Sequence, residues 1–131
     1  MTFIDTSAIY AWTDRGDPNH EEAKRRLSSV LAAGEPLLTH NYVLVECGAL
    51  LQKRLGLEIA LSVLEDARSF ELEWVERGTH EEAVRRLRVK RRRQVSLVDQ
   101  VSFLVMRSRG MDTAFAFDQH FEDEGFRIFV G

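Results

Sequence analysis

Apolar positions in this chain fall into short runs that alternate between the period of a strand and the period of a helix. Residues 2 to 4 read as a strand. Thr6 or Ser7 can cap a helix through Ala8, Ile9, Tyr10, Ala11 and Trp12. DRGDPN is a turn. A helix from about His20 to Ala33 carries Ala23, Leu27, Val30 and Leu31 on one face and stops at Gly34. Pro36 to Thr39 is a second strand. Asn41 can cap a helix running to about Arg54, Gly56 breaks it, and Leu57 to Arg68 is helical again. Phe70 to Val75 alternates as a strand. Thr79 with Glu82 has the spacing of a capping box for a helix through Ala83, Val84 and Leu87. Ser96 can cap a helix over 97–109, ended by Gly110. Strands follow at 114–117 and 126–130, separated by one helical turn at 120–124. Strands alternating with helices predict an α/β fold with a parallel sheet covered on both faces.

Composition narrows this picture. At 131 residues and 44% hydrophobic content, the chain suits one domain over 1–131 with a packed core. The one cysteine, Cys47, excludes an internal disulfide and a cysteine-based zinc site, and reads as a small buried hydrophobe. No apolar run approaches the ~18 residues of a membrane span. The N-terminus shows no basic leader, so a cytoplasmic location is expected. Net charge is −3, but Arg85 to Arg109 holds nine Lys or Arg residues and one acid. Within that stretch, Arg85, Arg86, Arg88, Lys90, Arg91, Arg92 and Arg93 form a block suited to a polyanion such as RNA. A solvated helix face, or a contact with an acidic partner protein, accounts for the same block. Arg15, Arg107 and Arg109 are weaker candidates for phosphate contacts.

The candidate chemistry lies in four acids placed where a fold resists them. Asp5 follows the first strand and Asp118 the fourth, so both reach the edge of a parallel sheet where functional groups collect. Asp99 lies three residues past the Ser96 cap, in a first helical turn that favours negative charge and faces the same edge. Val43, Glu46 and Leu50 share one helix face, which turns Glu46 inward. Each acid alone has an ordinary explanation as a cap, a turn residue or a salt-bridge partner. One site holding Mg²⁺ or Mn²⁺ explains all four, because these ions prefer carboxylate and water oxygens. Ser7 is either an auxiliary hydroxyl for such a site or only a helix cap.

The segments FIDTSAIYA at 3–11, NYVLVECGALL around Glu46, SLVDQVSFLVM at 96–106 and AFAFDQHF at 114–121 together resemble the PIN-domain ribonucleases, most closely the small VapC-like toxins. The resemblance extends over essentially the whole chain. It implies a PIN-like, Rossmann-like three-layer sandwich around a parallel five-stranded sheet of order 3-2-1-4-5. It further implies Mg²⁺- or Mn²⁺-dependent endonuclease activity on RNA. The family's acids fall on Asp5, Glu46, Asp99 and Asp118, which are then both catalytic and metal-binding, and its small hydroxyl residue falls on Ser7. Asp112 is an alternative fourth acid, though it precedes its strand. Homodimers and a cognate antitoxin belong to the same expectation.

Other classes fit less well. An aspartyl phosphatase wants a second Asp where Ser7 stands, and a dinucleotide-binding fold wants glycines that DTSAIY lacks. A non-toxin PIN nuclease in RNA processing, or a silent RNA-binding or protein-interaction module, would share most of these features. The four histidines show no zinc spacing; His20 and His80 are expected on the surface and His120 in a solvated turn. Trp12 and Trp74 are expected in the core or at a subunit contact.

Overall fold

A computed structural model describes all of residues 1–131. The elements are β1 (Thr2–Ile4), α1 (Thr6–Thr13), α2 (His20–Ala32), β2 (Leu37–His40), α3 (Asn41–Leu55), α4 (Leu57–Asp66) and, after a 3₁₀ turn at Ala67–Ser69, β3 (Glu71–Glu73). There follow α5 (Arg77–Lys90), α6 (Leu97–Ser108), β4 (Thr113–Phe115), α7 (His120–Asp123) and β5 (Arg127–Ile128). The five strands pair in the order β3-β2-β1-β4-β5, and every pairing is parallel. Phe3 stands opposite Leu38 on one side and Ala114 on the other, which makes β1 the centre of the sheet. Helical layers cover it, as the alternation of periods requires.

The core explains the hydrophobic pattern. Phe3, Leu38, Val43, Leu51, Phe103, Phe115 and Phe121 are all fully buried within one cluster of 27 residues. Cys47 belongs to it, and burial pushes its thiol up to about 12, well away from nucleophilic use. Gly56 has φ +100°, a conformation that costs other residues dearly, and so lets α4 begin directly after α3. No helix is long and apolar enough to cross a membrane.

Several local expectations need correction. The cap of α3 is His40, whose ring nitrogen accepts from the Val43 amide, while the Asn41 side chain accepts from Val75 N at 2.7 Å. β3 is only three residues long, because its partner β2 ends at His40, opposite Glu73, where α3 begins. The capping box expected at Thr79 and Glu82 does not form: α5 starts at Arg77 with no side-chain cap, and Glu82 pairs with Arg85 instead. β4 stops at Phe115 because the Phe117 amide donates to Ser7 Oγ rather than continuing the ladder. Trp74 is 73% exposed, which rules out the core but not a subunit contact, its other expected place. Trp12, 38% exposed, borders an apolar cavity of about 350 Å³ with Ile9, Leu27 and Phe70.

Candidate active site

At the C-terminal end of β1 the chain turns directly into α1. Asp5 is the cap of that helix, with its backbone extended (φ −98°, ψ 162°). Its Oδ2 accepts from Ser7 N at 3.2 Å and from Ser7 Oγ at 2.7 Å. Ser7 Oγ in turn accepts from Phe117 N at 3.0 Å. One hydroxyl therefore ties the end of β1 to the segment after β4, and it fixes the distance between Asp5 and Asp118 across the strand ends. Neither expectation for Ser7 describes it fully: its hydroxyl acts first on Asp5 and on the backbone of the next strand.

Asp99 is set by the start of α6. Ser96 Oγ accepts from Asp99 N at 3.2 Å, and Asp99 Oδ2 accepts from Ser96 N at 2.9 Å, a reciprocal capping box. This bond holds one carboxylate oxygen of Asp99 and leaves the other free. Asp118 follows β4, and its Oδ1 accepts from His120 N at 3.1 Å. Glu46 extends from α3 and is half-buried beside Thr6. The Thr6 hydroxyl is near enough to favour the charged form of Glu46, yet the geometry falls short of a hydrogen bond and Thr6 Oγ1 is buried without a partner.

These side chains line one cavity of about 340 Å³, together with Gln94, Ser96 and His120 and with no hydrophobic residue. Asp5, Ser7, Glu46, Asp99 and Asp118 thus meet as the sequence predicts. Asp112 does not join them; its Oδ1 accepts from Thr113 Oγ1 on the surface before β4. The apolar cavity by Trp12 is of similar volume, but hydrophobic residues dominate its lining, with Glu35, Asp66 and Ser69 its polar side chains.

The electrostatics follow from burial and from like charge. Asp5 is 3% exposed; burial first, then the charges of Asp118 and Asp99, push its carboxyl up to about 7, against the opposing hydrogen bonds from Ser7. Burial and Asp99 likewise raise Asp118, against the favourable contact with His120. Glu46 is raised by burial and then by Asp99 and Asp118. No Lys or Arg lines the cavity to offset them. A polar cavity with four carboxylates and no Lys or Arg suits a divalent cation, and Asp99 and Asp118, whose ligand atoms lie within 4.8 Å of each other, are the two acids close enough to share one.

His120 is the site residue that the sequence pattern assigns to solvent. Its Nδ1 lies 3.4 Å from Asp99 Oδ2 and 3.7 Å from Asp118 Oδ1, and its side chain is only 20% exposed, so this is no solvated turn. Phe121 holds it there, fully buried against Phe103 and Phe3 at 5.1 and 6.0 Å between ring centroids. The signal in the sequence is the spacing: a histidine two residues after the acid, followed by a core aromatic.

The basic block divides into two groups. Arg85 pairs with Glu82, Arg92 with Asp123, and Arg86 bridges Gln100 Oε1 at 3.1 Å and Glu124 at 3.6 Å. Arg88, Lys90, Arg91 and Arg93 are exposed with no carboxylate partner. Arg91 ends α5 in a left-handed conformation (φ 49°), and the chain from Arg93 passes directly to Gln94 on the cavity wall. Arg107 is held by Glu124 and Arg109 by Glu73, which leaves Arg15 exposed among the weaker candidates.

Comparison with known proteins places this geometry in context. Residues 2–126 match the PIN domain. The 23S rRNA-specific endonuclease VapC20 of Mycobacterium tuberculosis is 36% identical over 130 residues, covering 96% of this chain and 95% of the relative, in each of two strains. The crystal structure of Mycobacterium tuberculosis VapC20, described as a sarcin–ricin loop cleaving toxin, superposes with a TM-score of 0.86 at 34% identity, covering 96% of both chains.

Proposed function

This chain belongs to the PIN-domain family, and on that premise we propose that it is a metal-dependent endoribonuclease, the toxin of a toxin–antitoxin pair. One observation carries the reading: four carboxylates from four separate segments line a single polar cavity that no Lys or Arg enters. Residues 1–131 act as one nuclease domain, in the cytoplasm. The chain forms a homodimer and is restrained by a cognate antitoxin protein. The name of its relative VapC20 makes 23S rRNA the first substrate to try.

Asp5, Glu46, Asp99 and Asp118 would hold Mg²⁺ or Mn²⁺, which when bound acidifies a water and neutralises charge developing on the phosphoryl oxygens. The protein's own part is positioning. Ser7 fixes Asp5 through its hydroxyl and amide. The Ser96 capping box fixes Asp99. Arg88, Lys90, Arg91 and Arg93 attract the RNA backbone to the rim of a cavity that would otherwise repel it.

The test is incubation of purified protein with total RNA, with Mg²⁺ or Mn²⁺ and with chelator. Cleavage that the chelator stops, and that falls roughly 100-fold or more in Asp5→Asn and Asp99→Asn, is the expected result. Both variants should keep the wild-type far-UV circular dichroism. Full cleavage by either variant in metal-replete buffer would sink the assignment. Binding without cleavage would leave an RNA-binding module. Growth arrest on induced expression of wild type, absent with Asp5→Asn, separates a toxin from a processing nuclease.

A further inference from the structure

We infer that His120 Nδ1 is a nitrogen ligand of the cation shared by Asp99 and Asp118, and that it gives this position a preference for Mn²⁺ over Mg²⁺. The inference rests on the metal-dependent nuclease reading above and adds a ligand and a selectivity to it.

Three observations lead there. The first is distance. Asp99, Asp118 and His120 each offer one ligand atom within 4.8 Å of the others. The separations of 3.4 and 3.7 Å from Nδ1 to the two carboxylates are ones that a single cation with bonds of about 2.1 Å bridges. The second is an unmet need. His120 Nδ1 is buried and has no hydrogen-bond partner, although buried ring nitrogens nearly always have one. The nearest carboxylate oxygens, Asp99 Oδ2 at 3.4 Å and Asp118 Oδ1 at 3.7 Å, each accept a backbone amide, and neither is placed to hydrogen-bond Nδ1. The third is rigidity. Phe121, the next residue, packs among Phe3, Phe103 and Phe126, which fixes the backbone that carries the imidazole beside the carboxylates.

The consequence is chemical. Mg²⁺ selects oxygen and retains its waters, whereas an imidazole nitrogen raises affinity for transition ions such as Mn²⁺. A site of carboxylates alone discriminates weakly between the two ions. One nitrogen among the oxygens tilts it.

His40 is the rival source of a buried nitrogen, but both its ring nitrogens are engaged, to Val43 N and to Ser102 Oγ, and it does not line the cavity. His20 and His80 lie outside the cavity as well. A nitrogen ligand at this site is therefore assignable to one residue.

The test uses the full chain stripped of metal and titrated with Mn²⁺ or Mg²⁺, in wild type, His120→Ala and Asp99→Asn. Pulsed electron paramagnetic resonance of bound Mn²⁺ reads the ligand directly, without activity or substrate. Wild type should show nitrogen-14 modulation that disappears in His120→Ala. The Kd for Mn²⁺ should rise about 10-fold or more in that variant while the Kd for Mg²⁺ stays within about 2-fold. Bound Mn²⁺ without nitrogen modulation in wild type overturns the inference. So does an equal loss of both ions in His120→Ala, which would mean that the ring only positions the carboxylates. If Mn²⁺ binding is lost in Asp99→Asn but carries no nitrogen signal, the nuclease reading stands and the His120 ligand falls. If Mn²⁺ binding is absent, or indifferent to Asp99→Asn, both fall.

Discussion

Asp5 shows how much one residue can ask of a fold. Its folded-state carboxyl lies near about 7, raised chiefly by burial, whereas the unfolded chain holds it near 3.8. A raised folded pKa means stability that is present below about 4 and lost as pH rises through about 7. Above that, the ionised group opposes folding by at most about 4 kcal/mol. In metal-free protein, Asp5→Asn should therefore increase stability at pH 8 by about 2 kcal/mol, with the gain shrinking toward pH 4. Urea unfolding at several pH values measures this, and an unchanged or lower stability at pH 8 would contradict the account. Mg²⁺ or Mn²⁺ should stabilise wild type more than the variant, because only wild type retains the full set of charges. The positions of all four acids are legible from strand ends and helix phase. The Ser7 bridge is not, because its partner Phe117 is 110 residues away in sequence and no local pattern records it.

At the scale of an element, α3 depends on a cap that propensity would not select. Neutral His40 accepts from Val43 N through Nδ1, and its other nitrogen is within 2.9 Å of Ser102 Oγ, whose own proton goes to Val98 O. A proton on Nδ1 would face an amide hydrogen, and burial pushes His40 down to about 3. The folded pKa is depressed, so this contribution is complete above about 6.5 and is lost as pH falls toward about 3, at about 1.4 kcal/mol per unit. Between pH 6.5 and 5, wild type should lose about 2 kcal/mol more than His40→Asn, which keeps a capping side chain but does not titrate. Parallel pH profiles for the two proteins would refute this role. The helix itself is legible from its apolar face. Its cap lies one residue before the expected one because the stronger capping residue, Asn41, is drawn away by Val75, a partner set only by the neighbouring strand. The start of α3 directly after His40 leaves β3 without a partner beyond Glu73, and the Ser7 bond shortens β4. Helices are more legible than strands here because three-residue strands carry too few positions to show a period.

Across the whole molecule, charge is sorted into an acidic cavity and a basic run that ends one residue before the cavity-lining Gln94. Four exposed side chains with no carboxylate partner, Arg88, Lys90, Arg91 and Arg93, belong to that run. Replacing them together with alanine should weaken RNA binding. The slope of log affinity against log salt should fall by about 0.7 for each single-strand phosphate that is no longer neutralised. Arg86→Ala should leave that slope unchanged and instead lower stability by about 1–2 kcal/mol, since it strips Gln100 and Glu124 of a partly buried partner. Fluorescence anisotropy across a salt series, with thermal unfolding alongside, separates the two. The block is plain in the sequence; which of its members are occupied is not, because Asp123, Glu124 and Gln100 reach it only through the fold.

The sheet that organises these charges ends in edges of three and two residues, and the β3 edge carries Glu71 and Glu73. So short an edge, with like charge facing like charge, is a poor template for another copy's strand. Sheet extension into fibrils or aggregates is thereby discouraged when the chain accumulates.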